Sequence, residues 1–264
     1  MLRLCPPRVV PYRLRRRAQK RRLATMCLII SIILTILLPF YIIYKPPGIL
    51  IHYFRWRWPD VLWQVDTSQG IVALTIDDAP SQHTREIMHL LKDSGATATF
   101  FVIGAQVHTH EDEAILQDLV LHGNELGNHA MHDEPSRSLS DAELRHQIEH
   151  IDDLIVSAYR AAGVQREARY FRPGSGFFST RMRSLVAAIQ YKLVLGGIYP
   201  HDPQIPYWNV NARHILSMLR PGGIIICHDR RSWTVPMLKR VLAEGGRRGY
   251  RFVTVSELLK EAEV

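Results

Sequence analysis

Four short strand-like stretches of this chain each stop abruptly at ionisable residues. Ile71 to Ile76 runs into Asp77-Asp78 and then Ala79-Pro80, and Glu125 to Asn128 runs into His129-Ala130-Met131-His132-Asp133. Tyr170-Phe171 leads to Arg172-Pro173, and Gly223 to Cys227 leads to His228-Asp229. Short β-branched and aromatic runs fit buried strands, and adjacent acids inside such a strand would break its burial. A single Asp-Asp before proline is ordinarily a capped loop. Four polar strand ends in order predict a site built at the C-terminal edge of a parallel sheet, where each strand-to-helix loop contributes.

The rest of the chain supports that architecture. Strand-like runs at 71–76, 97–103, 124–128, 168–171, 192–196, 223–228 and 250–254 alternate with helical stretches near 83–93, 111–122, 140–160, 179–190, 211–219, 233–246 and 256–262. Gly95 and Gly123 stand where helices should end. Ser140-Asp141-Ala142-Glu143 has the pattern of a capping box opening the long helix. Roughly seven strand–helix units predict an α/β domain with a parallel, barrel-like sheet.

On these segments the chain resembles the NodB-homology polysaccharide deacetylases, carbohydrate esterase family 4, from about Gln69 to Leu259. Thr75-Ile76-Asp77-Asp78-Ala79-Pro80 is similar to the family's Thr-Phe-Asp-Asp-Gly-Pro, and Thr97 to Gly104 to its Ala-Thr-Phe-Phe-Val-x-Gly strand. His129 opens the second motif, Arg172-Pro173 the third, Asp202 the fourth, and Ile226-Cys227-His228 the fifth. The resemblance implies an irregular (β/α)7 barrel that hydrolyses N-acetyl groups from N-acetylglucosamine-containing polysaccharide, with chitin as the first expectation. Peptidoglycan, another acetylated glycan or an O-acetyl ester stand as alternatives, as does a catalytically lapsed glycan-binding protein.

The resemblance also implies roles. Asp77 would be the general base, Arg172 the group that orients it, His228 the general acid and Asp202 the carboxylate that holds His228. Asp78 and His129 would be metal ligands. The family has a second histidine four residues after the first, and that position is Asp133 here. Spacing to Ser140 needs no gap, which favours Asp133 as third ligand over His132. Two carboxylates make a harder, more anionic site, so zinc is expected with cobalt or manganese as alternatives. Ser175 and Ile226 would lie at the substrate and oxyanion. Ser175 replaces the usual aromatic, and Pro203 the tryptophan that usually follows the fourth-motif aspartate. The remaining histidines are read as solvated or packing residues, and Cys227 as a packing residue.

Charge and hydropathy set the address. The formal net charge is +8, yet residues 1–22 carry nine arginines and lysines and the first acid is Asp60, so the remainder is about −1. Nucleic-acid binding loses its support. Residues 23–44 contain no charged side chain and, at about 1.5 Å each, reach some 33 Å, enough to cross a bilayer core. The basic bias before this segment predicts a type II anchor with the catalytic domain outside the cytosol. A cleaved signal peptide is disfavoured by the length of the run and the poor site at Tyr44-Lys45-Pro46-Pro47, and a core helix by the missing polar face. A mitochondrial address is the minor alternative.

The expected organisation is therefore a basic tail 1–22, a membrane helix 23–44, a juxtamembrane segment 45–68 and a deacetylase domain 69–264. The aromatics of 45–68 suit either the lipid headgroup layer or packing under the barrel. One cysteine beyond the span excludes an internal disulfide, and no Asn-x-Ser/Thr sequon is present. The expected partners are a polysaccharide and a membrane; the sequence does not fix the oligomeric state.

Overall fold

The computed structural model describes residues 12–262, so residues 1–11 of the basic segment lie outside the described residues. The chain divides into two units, 1–46 and 47–264. The first contains one helix, α1 (Tyr12–Tyr44), whose stretch Gln19–Tyr44 is long and apolar enough to cross a membrane.

The second unit alternates strands and helices in chain order. It opens with α2 (Gly48–Arg57), β1 (Val61–Leu62), β2 (Ile71–Ala79), α3 (Thr84–Asp93), β3 (Thr99–Val102), α4 (His110–Leu121) and β4 (Glu125–Asn128). It continues with α5 (Asp141–Ala162), β5 (Tyr170–Phe171), α6 (Thr180–Ala188), β6 (Lys192–Val194), α7 (Trp208–Met218), β7 (Ile224–His228), α8 (Thr234–Arg247), β8 (Arg251–Val253) and α9 (Val255–Ala262). The strands pair in the order β1-β6-β5-β4-β3-β2-β7, with β8 also on β2, and every pairing is parallel. The sheet curls into a half-barrel. Across the gap to β7, Ile198 pairs with Ile225 and Gln64, just past β1, bridges to Gly223.

From Pro47 onward, the segment 45–68 belongs to this unit. It supplies α2 and β1, and β1 pairs with β6 through Val61–Leu193 and Leu62–Val194. A strand of two paired residues leaves little alternating pattern to read in a sequence. The opening of α5 follows the expected cap only in half. Ser140 accepts from the Glu143 backbone N–H at 3.1 Å, while the Glu143 carboxylate accepts from Gln147 instead. The reciprocal capping box forms at α4, between Thr109 and Asp112.

Strand alternation divides the core. Val72, Leu74 and Ile76 point outward and pack with Ile87 and Leu91 of α3 and Leu238 and Val241 of α8. Ile71 and Ala73 point inward with Phe101, Tyr170, Val194 and Ile224. Burying each large aliphatic side chain contributes roughly 1.5–3 kcal/mol, and these clusters make the sheet a rigid platform. The inward row continues past Ala73 as Thr75 and Asp77, which are polar. The core thus gives way to chemistry along one face of one strand.

Candidate active site

β2 is buried along its whole length, through both acids. In a regular strand Asp77 and Asp78 would point to opposite faces. Here Asp78 adopts φ 65°, a left-handed conformation uncommon for aspartate, and the register against β3 shifts between Ile76 and Ala79. That irregularity brings the second carboxylate round to the same end as the first. The strand was expected to stop at 76 so that both acids would be free; it runs to Ala79 and bends instead. The Ala79–Pro80 peptide is cis.

Arg172, at the end of β5, is 1% exposed and fully engaged. Its guanidinium donates to Asp77 Oδ1 at 2.5 Å, Thr75 Oγ1 at 2.7 Å, and the carbonyls of Val194 and Leu195 at 3.2 and 2.9 Å. It also lies 4.1 Å above the Phe101 ring centroid. Burial alone would push the Asp77 carboxyl up, but Arg172, His129 and His228 together hold it below the usual carboxylate range. Asp77 is therefore an ionised acceptor in a nearly dry place.

His228 closes β7. Asp202 receives its backbone N–H at 2.8 Å and its Nδ1 at 3.1 Å, and Asp202 is itself fully buried. Burial disfavours the imidazolium, yet Asp202, and then Asp77 and Asp78, outweigh it and raise the pKa to about 9. His228 Nε2 stands 4.0 Å from Asp77 Oδ2. Pro203 follows Asp202, but an indole reaches the same residue from elsewhere: Trp233 Nε1 donates to the Asp202 carbonyl at 3.0 Å.

Asp78, His129 and Asp133 form the third cluster. One donor atom from each lies within 4.8 Å of the others. His129 Nδ1 is 2.7 Å from the Arg172 carbonyl, which can only accept, so Nδ1 carries a proton and Nε2 is turned toward Asp78 Oδ1 at 3.8 Å. Asp78 Oδ1 is buried with no hydrogen-bond partner. An orphaned buried carboxylate oxygen is costly unless a donor or a cation meets it. Burial first, with Asp77 and Asp133 adding to it against the two histidines, pushes the Asp78 carboxyl up. One imidazole and two carboxylates fit a divalent cation of intermediate hardness. His132 is exposed and stands outside this group.

The loop bearing Asp133 is held from behind. Gln147 of α5 accepts from the Met131 N–H at 3.2 Å and donates to Glu134 at 3.0 Å. Gly174 touches it from the other side: a Cβ there would lie 2.2 Å from the Glu134 carbonyl oxygen, so no other residue fits without moving the loop.

These groups share a cleft of about 340 Å³. Asp77, His129, Asp133, Arg172, Ser175, Ile226 and His228 all line it, while Asp202 supports His228. Leu195, Tyr199, Gln204 and Arg231 also line it and carry no signal in the motifs. Only Arg231 had a positional cue, three residues past His228. Asp229 was likewise passed over. Its buried carboxylate accepts from Ser81 Oγ at 2.6 Å and from Thr84 Oγ1, and its N–H donates to the Asp77 carbonyl at 2.8 Å. It ties the loop after β2 to the end of β7. Cys227 is buried against the Thr75 carbonyl, and burial pushes its thiol well up, as suits a packing residue.

Comparison with known proteins bears on the family and the fold. The family model for polysaccharide deacetylase matches residues 64–194. A peptidoglycan-N-acetylglucosamine deacetylase of Bacillus cereus is 31% identical over 76% of this chain and 93% of its own length. A chitooligosaccharide deacetylase of Rhizobium leguminosarum bv. trifolii is 29% identical over 60% of this chain and 71% of its own. The fold is shared with the crystal structure of a CE4 family pseudoenzyme from Bacillus anthracis, at a TM-score of 0.67 and 24% identity, covering 75% of this chain and 68% of that one.

Proposed function

The chain belongs to the polysaccharide deacetylase family, and on that premise we propose that it removes N-acetyl groups from an N-acetylglucosamine-containing polysaccharide, releasing acetate. The observation that carries the proposal is a three-part juxtaposition. The donor group of Asp78, His129 and Asp133 lies beside an ionised Asp77 and a His228 held charged by Asp202.

Asp78, His129 and Asp133 would hold a divalent cation, zinc first and cobalt or manganese as alternatives, which when bound supplies Lewis acidity to the acetamide carbonyl and to the attacking water. The side chains do the rest. Asp77 accepts a proton from the attacking water as its oxygen bonds to the carbonyl carbon, and Arg172 keeps Asp77 ionised and aimed. His228 delivers a proton to the sugar nitrogen as the carbon–nitrogen bond breaks, so that acetate and a free amine result. Ser175, exposed at the rim with φ 62°, and Ile226 frame the acetamide, and the Ser175 N–H is the donor assigned to the developing oxyanion.

Chitin-type chains and peptidoglycan share the sugar this site would act on, and relatives named for each exist. Acetate release by the full chain in detergent, from chitooligosaccharides and from peptidoglycan fragments, tests the proposal. Release from either substrate that stops on chelation and returns with zinc is expected. No release from both by folded, metal-loaded protein contradicts it. That outcome would favour the second reading, a lapsed glycan-binding protein, whose support is Asp133, Ser175 and Pro203 in place of the family's usual residues.

The proposal includes an address. Residues 23–44 act as a single-pass type II anchor, the basic segment 1–22 stays in the cytoplasm, and the domain over 69–264 works outside it.

A further inference from the structure

The helix α2 carries apolar side chains on two opposite faces. On one, Ile51 is buried and Phe54 packs against Trp58 and Trp63, with ring centroids 5.5 and 4.9 Å apart. Arg55 fixes that face through a two-pronged ion pair with Asp66, at 2.6 and 2.5 Å. At roughly 100° per residue, Ile49, Tyr53 and Trp56 fall together on the other face. They are 80%, 49% and 73% exposed. His52 and Arg57, also exposed, flank the stripe, and the helix contains no acid.

A contiguous exposed apolar stripe marks an interaction surface, unlike single exposed apolar residues. Its chemistry selects the partner. An aromatic pair with basic flanks is the composition of helices that lie in the lipid headgroup layer. The sequence adds a constraint: Lys45, Pro46 and Pro47 alone separate α2 from Tyr44, where the apolar segment ends. Three residues reach at most about 11 Å, so a spanning Gln19–Tyr44 segment leaves α2 close to the bilayer surface.

We propose that α2 is an interfacial helix. It rests the domain on the membrane with Ile49, Tyr53 and Trp56 in the headgroup layer and Arg57 against anionic lipid. The two roles weighed for the aromatics of 45–68 are then divided, Phe54, Trp58 and Trp63 packing on the domain and Tyr53 and Trp56 meeting lipid. The inference rests on the anchor reading of residues 23–44.

The test uses the full chain in nanodiscs of phosphatidylcholine and phosphatidylserine whose acyl chains are brominated either near the headgroups or near the bilayer centre. Tryptophan emission should lose a component to the shallow bromines. That component should disappear in Trp56→Phe. It should also disappear in a variant pairing Ile49→Ser with Tyr53→Ser, which keeps Trp56 as reporter. Equal shallow quenching in wild type and Trp56→Phe overturns the proposal, as does a dimer in the disc with Trp56 unquenched. Failure of the chain to co-elute with the discs at all instead contradicts the anchor.

Discussion

Two buried carboxylates lie at opposite ends of the same sheet, and they are buried on different terms. Glu125 opens β4 and is satisfied by neutral donors: Thr99 Oγ1 at 2.7 Å, the Ser256 N–H at 3.3 Å and the Ser256 hydroxyl. Burial raises its pKa and those hydrogen bonds only offset it. Asp77, near the end of β2, faces a guanidinium and two histidines, and its pKa is lowered although it is as deeply buried. Next to it Asp78 keeps a buried oxygen with no hydrogen-bond partner, grouped with His129 and Asp133. Burial alone therefore does not identify a catalytic acid. Charged partners and an unsatisfied neighbour do.

The sharpest way to break this contrast is to neutralise both acids. Asp77→Asn should lower kcat by about 10²–10⁴-fold, the usual range for a general base, whereas Glu125→Gln should leave kcat within about twofold. Steady-state deacetylation assays on the two variants check it; equal losses would erase the distinction.

Metal affinity is the next largest effect. Asp133→Ala should weaken zinc binding by more than about 100-fold, beyond the 10- to 100-fold typical of groups that only support ligands, and His132→Ala should change it little. Competition with a fluorescent chelator measures both. The reverse ranking would move the third ligand to His132.

Acid–base behaviour at His228 follows. The group is protonated below its raised pKa of about 9, so activity should fall as pH rises through that value, or somewhat lower once a cation is bound nearby. Because the folded pKa lies above the ordinary 6.5, the associated stability is complete below about 6.5 and is lost as pH rises towards about 9. Asp202→Asn should cost roughly 100-fold in kcat and shift the alkaline limb down towards the ordinary imidazole range. A pH–rate profile with an unmoved limb would deny Asp202 its part.

The smallest effect belongs at the opposite end of the sheet. Glu125→Ala leaves the Thr99 and Ser256 donors buried without an acceptor and should cost about 1–3 kcal/mol in stability with kcat unchanged. Thermal unfolding with parallel assays reads it. Stability from Glu125 itself should fall as pH rises through its elevated pKa, because the folded state favours the protonated form.

The contrast also explains what a sequence exposes. Motif residues at strand ends were legible because apolar runs stop there, and Asp77, Asp78, His129, Arg172 and His228 all converge. The bend at Asp78 was not legible. A left-handed backbone at an aspartate arises from the pairing with β3, which no local pattern encodes. Tyr199, Gln204 and Trp233 reach the site from loops and a helix start, where neither period 2 nor period 3.6 marks a residue. The same holds for β1, two residues long and recognisable only through β6. Glu125 sat within one of the motif segments yet serves as structure, so position alone misleads without partners.

The central claim is that Asp77 moves a proton while Asp78, His129 and Asp133 hold the ion. One preparation of Asp77→Asn, assayed for zinc content and for acetate release beside the wild type, tests it most directly. One bound zinc is expected in both proteins, with turnover in the wild type alone. Turnover that survives in Asp77→Asn, or is lost only because its zinc is lost, would contradict it.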